Sequence, residues 1–161
     1  MSLAAIQKKG KIKPPRLVIY GPGGIGKTSF ASTMDKCIIV QSEDGIGKIE
    51  CDHFPVAKSY EEFMGNLNSL LTEDHAFKVV AIDSLDWLET LLWDHVCQKN
   101  GWADISSPAY GKGYTTAIEE WRDYLSVLNR LRDEKSMTVI QIAHNSIRRY
   151  EDPSNEPHDR H

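Results

Sequence analysis

Four short apolar runs divide the chain: RLVIY at 16–20, CIIVQ at 37–41, FKVVAID at 77–83 and MTVIQIAH at 137–144. They are rich in β-branched residues, and each is bounded by polar or turn-forming residues. They read as buried strands, and the nearly continuous apolar run at 77–83 predicts a strand covered on both faces. The segments between them carry helical periodicity. A helix is expected from KTSFASTM at 27–34. Another is expected at 59–71, where Phe63, Leu67 and Leu70 or Leu71 share one face. Ser84 is placed to cap a third helix, with Leu85, Leu88, Leu92 and Val96 at helical spacing. A long helix is predicted over 114–134, with Tyr114, Ile118, Trp121, Leu125, Leu128 and Leu131 as its core-facing stripe. The stretch 99–113 reads as a loop, and the polar, proline-containing tail after His144 as a loop or hairpin. Strand and helix alternate, which predicts an α/β fold with a mostly parallel sheet and helices on both faces.

Composition narrows the class. A chain of 161 residues, 40% hydrophobic and 26% charged, can build a core, and its length suits one domain. No apolar run approaches the roughly 20 residues that span a bilayer, so no membrane partner is expected. The N-terminus has no continuous apolar stretch of the kind that directs secretion. Three irregularly spaced cysteines, Cys37, Cys51 and Cys97, fit reduced thiols in the cytoplasm. The net charge of −4 excludes a polycation that coats nucleic acid nonspecifically. Positive charge is local. Lys8, Lys9, Lys11 and Lys13 lie in what is expected to be a flexible arm over 1–15. Arg148 and Arg149, near the end, are either solvated or contacts to a nucleic-acid strand.

The most specific signal is GPGGIGKTS at 21–29, a full match to the phosphate-binding pattern G-x-x-x-x-G-K-[ST]. It follows a predicted strand and opens a predicted helix. Gly21, Gly23, Gly24 and Gly26, with Pro22 and Ile25 between them, let backbone N–H groups wrap phosphate oxygens. Lys27 brings positive charge to the β- and γ-phosphates, Thr28 supplies a hydroxyl for Mg²⁺, and Ser29 completes the motif. Such sites take a second magnesium partner from an acid at the end of an apolar strand. Asp83 stands there. The expected ligands are therefore ATP and Mg²⁺.

Other motifs exclude several nucleotide-binding classes. No N/T-K-x-D reads guanine, and no L-S-G-G-Q marks an ABC ATPase. No arginine stands between Arg16 and Arg122, so there is no arginine-rich lid of the nucleotide-kinase kind. The residue after Asp83 is Ser84, where many AAA+ enzymes place a catalytic glutamate. A carboxylate to activate water must come from elsewhere. Glu43, just past the second strand, meets the requirement, because open parallel sheets bind ligands beyond the C-terminal ends of their strands.

On these residues the chain resembles RecA-like ATPases, in particular phage-encoded nucleotide-binding proteins of single-strand annealing and recombination. The resemblance spans roughly 16–160. It rests on the P-loop, Glu43 after the second strand, Asp83-Ser84, the GKGY at 111–114, the Ala143-His144 strand end, and Asp152, Pro153, Pro157, Asp159 and Arg160. It implies a three-layer P-loop NTPase domain over 16–161 with a RecA-like core that could lack its C-terminal strands. It implies Glu43 and Lys27 as catalytic residues and His144 as a γ-phosphate sensor, in place of the glutamine common in bacterial recombinases. It implies an ATPase, slow or DNA-stimulated, with single-stranded DNA and further copies of the chain as partners, acting in the host cytoplasm. Trp102 and Tyr110 fall where such proteins carry a DNA-contacting loop. A stand-alone AAA-type ATPase and a partner-docking ATP-binding protein remain the alternatives.

Overall fold

The computed structural model describes residues 12–145 and the backbone of 148–150 and 158–160. The elements in chain order are β1 (Arg16–Gly21), α1 (Lys27–Ser32), β2 (Cys37–Gln41), β3 (Asp52–His53), α2 (Tyr60–Thr72), β4 (Val79–Asp83), α3 (Leu85–Asn100), α4 (Lys112–Glu134), β5 (Thr138–His144), β6 (Arg148–Tyr150) and β7 (His158–Arg160). Five strands form one parallel sheet in the order β1-β5-β4-β2-β3. β6 and β7 pair antiparallel, separately from it. The fold is α/β, as expected, and agrees with a P-loop NTPase core.

Local chemistry sets the element ends. Ser59 caps α2: its hydroxyl oxygen accepts the Glu62 N–H at 3.2 Å, and the Glu62 carboxylate accepts the Lys58 N–H at 2.9 Å. α3 stops at Gly101, whose φ of 68° suits a residue without Cβ. Buried Gly113, inside α4, permits a close approach: a Cβ there would lie 1.9 Å from the Ile105 carbonyl oxygen.

Register does most to place the site. Gly21 lies opposite His144, Ile142 opposite Asp83, and Asp83 opposite Gln41. The parallel strands therefore deliver the P-loop, His144, Asp83 and the segment after Gln41 to one edge of the sheet. α2, α3 and α4 cover one face through Phe63, Leu67, Leu88, Leu92, Leu128 and Leu131. Ala31 of α1 packs on the other face with Ile39, Ala81, Ile140 and Ile142.

Two expectations need correction. β1 is not a buried strand: it is an outer strand of the sheet among the described residues, and Leu17, Val18 and Tyr20 are exposed. The core face of α4 is also rotated from the predicted stripe. Tyr114, Ile118 and Leu125 are exposed, whereas Ala117, Tyr124, Val127, Leu128 and Leu131 are buried and Trp121 is half-buried against the core. Tyr124 can enter the core because its hydroxyl donates to the buried Gln141 Oε1 at 2.9 Å. Of the expected basic arm, residues 1–11 lie outside the described residues. Lys13 pairs with Asp133 at 2.7 Å, and the Pro14 carbonyl accepts two bonds from Arg132 at 2.9 and 2.7 Å.

Tyr124→Phe removes the hydroxyl and leaves a buried amide oxygen short of its partner. Urea unfolding is expected to show a loss of about 1–3 kcal/mol.

Candidate functional site: a phosphate pocket at the sheet edge

β1 hands the chain to the P-loop at Gly21. Within the loop, Gly24 and Gly26 have φ of 80° and 93°, a left-handed backbone that any side chain would strain. Lys27 opens α1 and is buried, 6% exposed. Its ammonium donates to the carbonyl oxygens of Gly21 at 2.8 Å and Pro22 at 2.9 Å. An ammonium has three N–H donors, so one is left for a phosphate.

Thr28 turns the other way and donates its hydroxyl to Asp83 Oδ2 at 2.7 Å. Asp83 is 2% exposed at the end of β4. Burial pushes its carboxyl above the usual carboxylate range. The Thr28 hydrogen bond opposes that push, and the nearby charge of Glu43 adds to it. Two hard oxygens side by side suit magnesium, which binds through one or two carboxylates, water and substrate phosphates rather than an all-protein cage. Among the described residues no group of three or more His, Cys, Asp or Glu side chains is arranged to hold a metal ion by itself. Thr28 and Asp83 are the side chains that could hold the ion.

Glu43 is placed by lacing between the ends of β2 and β4. The Ser42 N–H donates to the Asp83 carbonyl at 2.8 Å. The Ser42 hydroxyl donates to the Ser84 carbonyl at 2.6 Å and accepts the Ser84 N–H at 3.0 Å. The Ser84 hydroxyl in turn donates to Glu43 Oε1 at 2.5 Å. Ser84 occupies the N-cap position of α3, but its side chain makes no capping bond. The expected cap is absent, and the hydroxyl instead donates to Glu43 and holds that carboxylate.

His144 ends β5. Its Nδ1 lies 3.0 Å from Asp86 Oδ2, and its backbone N–H donates to the same oxygen at 2.7 Å. Its Nδ1 is 3.7 Å from Glu43 Oε1. Lys27, Thr28, Ser29, Glu43, Asp83 and His144 line one pocket of about 270 Å³, with Gly24, Gly26, Gly45 and Ile49. Gly21 and Pro22 act through their carbonyls, while Gly23 and Ile25 are exposed residues of the loop.

Sequence reasoning passed over Ser42, Gly45, Ile49 and Asp86. At Gly45 a Cβ would sit 3.3 Å from Asp83 Oδ2. Asp86 offered one signal, an acid three residues past Asp83 in DSLD. The side chains of Arg148 and Arg149 lie outside the described residues, as do Asp152, Pro153 and Pro157. In the loop before α4, Trp102 packs against the core with the Lys112 ammonium 5.9 Å from its ring centre. Tyr110 stands fully exposed at φ 57°.

A family model described as an AAA domain matches residues 13–161. The chain belongs to this family, one of P-loop ATPases. No curated protein matches it.

The raised pKa of Asp83 has a stability consequence. Between the ordinary carboxylate pKa and the raised one, the folded chain holds more protons at this group than the unfolded chain. The nucleotide-free fold therefore loses stability as pH rises through that window. Asp83→Asn keeps an oxygen for Thr28 and removes the charge. It is expected to raise the melting temperature of the nucleotide-free protein at neutral pH, with the gain shrinking towards about pH 4. It is also expected to abolish the extra stabilisation given by magnesium with ATP. Thermal melts at several pH values, with and without Mg·ATP, check both.

Proposed function

We propose that the chain is a Mg·ATP-dependent ATPase of the RecA-like type that works on single-stranded DNA in recombination or annealing. The observation that carries the ATPase reading is Glu43. It reaches the phosphate pocket from β2 and is held there by Ser84, the residue next to the magnesium acid. Its Oε1 is occupied by that hydroxyl, which leaves Oε2 to accept a proton from water. The water oxygen then bonds to the γ-phosphorus, the bond to the β-phosphate oxygen breaks, and ADP and phosphate leave. Backbone N–H groups of the P-loop and Lys27 hold the phosphates. Thr28 and Asp83 would hold magnesium, which would supply positive charge to the phosphates. His144, which lines the same pocket, would act as the γ-phosphate sensor.

Glu43→Gln keeps size and hydrogen bonding but cannot take the proton. Turnover is expected to fall by roughly 10²–10⁴-fold, with ATP affinity nearly unchanged. Unchanged turnover would remove Glu43 from the reaction.

The DNA role is supported by the resemblance to phage recombination proteins, with Arg148 and Arg149 as candidate phosphate contacts. Phage origin, self-association and work in a host cytoplasm share that support. Three free cysteines fit a reducing compartment. Among the described residues no helix is long and apolar enough to cross a membrane. Labelled single-stranded DNA, titrated with and without ATP, is expected to bind and to weaken steeply with salt. Replacing Arg148 and Arg149 by alanine is expected to weaken it further. No binding at low salt would leave the stand-alone or partner-docking ATPase as the reading.

A further inference from the structure

We propose that Asp86 is the positioning residue of this site: it fixes the His144 ring and keeps it off Glu43. The proposal rests on the phosphate-pocket reading above and extends it to a residue outside the pocket lining.

Strand geometry explains why a carboxylate is needed there. The Asn145 N–H faces β1 and donates to the Gly21 carbonyl at 3.4 Å. Alternation along the strand turns the His144 N–H to the opposite side, towards β4. β4 has already ended, because its last residue, Asp83, lies opposite Ile142. The His144 N–H therefore has no ladder partner. Asp86, in the first turn of α3, fills the gap, and its Oδ2 accepts the backbone N–H at 2.7 Å.

The same oxygen lies 3.0 Å from Nδ1. One carboxylate oxygen thus grips both the backbone and the ring of one residue, 58 positions away in the chain. A carboxylate offers acceptors only, so Nδ1 carries the hydrogen and Nε2 is the ring nitrogen left over. The next carboxylate, Glu43, is 3.7 Å from Nδ1, beyond a hydrogen bond. With Asp86 gone, Glu43 would become the nearest acceptor for the ring. The imidazole would then compete with the Ser84 hydroxyl for Oε1 and loosen the hold on the proposed base. Asp86 and His144 are both partly exposed, at 42% and 34% of their side chains. A pair this open to solvent adds little to stability. Its consequence is orientation.

A double-variant cycle and a ring spectrum test this together. Asp86→Ala is expected to lower ATP turnover by about 10- to 100-fold, the range seen when the outer partner of a functional histidine is removed. In a His144→Ala background the same change is expected to cost less than about twofold, since the two act as one unit. Melting temperatures should barely move. Independently of turnover, long-range ¹H–¹⁵N spectra of the nucleotide-free protein at mildly alkaline pH should show the His144 Nδ1–H tautomer. That preference should be lost in Asp86→Ala and in Asp86→Leu. Multiplicative losses in the double variant, or an Nε2–H ring in the parent protein, would overturn the proposal. If the parent protein has no turnover, the ATPase reading fails and the spectrum alone decides the role of Asp86.

Discussion

The hydrogen bond from Thr28 to the buried Asp83 carboxylate is the contact on which the rest of the site depends. β1 and β4 are not neighbours in the sheet, because β5 runs between them. The P-loop and the acid can meet only above the end of the intervening strand. That meeting requires all three strands to run parallel and to end nearly level, which the pairing of Gly21 with His144 and of Asp83 with Ile142 provides. A one-residue slip of β4 would turn the Asp83 side chain to the other face and break the contact. Sheet register and site assembly are one constraint.

The same contact carries a cost. A carboxylate that is 2% exposed has lost most of its water. The lysine that could compensate is hydrogen-bonded to the carbonyls of Gly21 and Pro22. One hydroxyl remains as the direct partner, and burial wins over it, so the carboxyl pKa rises. A buried acid with one neutral partner favours any cation that can reach it. Any affinity of Asp83 for magnesium would therefore share its cause, the burial of this carboxylate, with the desolvation cost in the nucleotide-free protein.

Much of this was legible in the sequence, for identifiable reasons. The apolar runs located β1, β2, β4 and β5 because a strand in a parallel sheet is apolar along its length. The P-loop was legible because few other glycine patterns combine the required backbone freedom with a lysine and a hydroxyl. Glu43 was legible from a rule about strand ends. What covers a strand is not written in it, so the run at 16–20 read as buried although β1 is an outer strand. The stripe on α4 was misread because alanine scores as weakly apolar and tyrosine as amphipathic. Ala117 fits beneath neighbouring helices and Tyr124 finds Gln141, neither of which periodicity reveals. Ser84 read as a cap because that is what serine before a helix usually does. Its actual partner, Glu43, lies 41 residues away. Asp86 was missed for the same reason, its partner being on β5.

Three carboxylates and one imidazole crowd one end of the sheet, and their partners keep them apart in role. Asp83 takes the Thr28 hydroxyl, Glu43 the Ser84 hydroxyl and Asp86 the His144 N–H groups. The hydroxyl donors of Thr28 and Ser84 leave Asp83 and Glu43 each with a further oxygen, as the proposed metal ligand and proton acceptor both require. The ring is steered to the outermost acid, which lines no part of the phosphate pocket. An AAA+ arrangement with glutamate directly after the magnesium acid would fix base and ligand on one strand. Here Glu43 lies two residues past the end of the adjacent strand, β2, and the Ser42–Ser84 lacing ties its position to β4. Any movement of β2 against β4 would move Glu43 relative to Asp83, so the two serines couple sheet rigidity to the spacing of the two carboxylates.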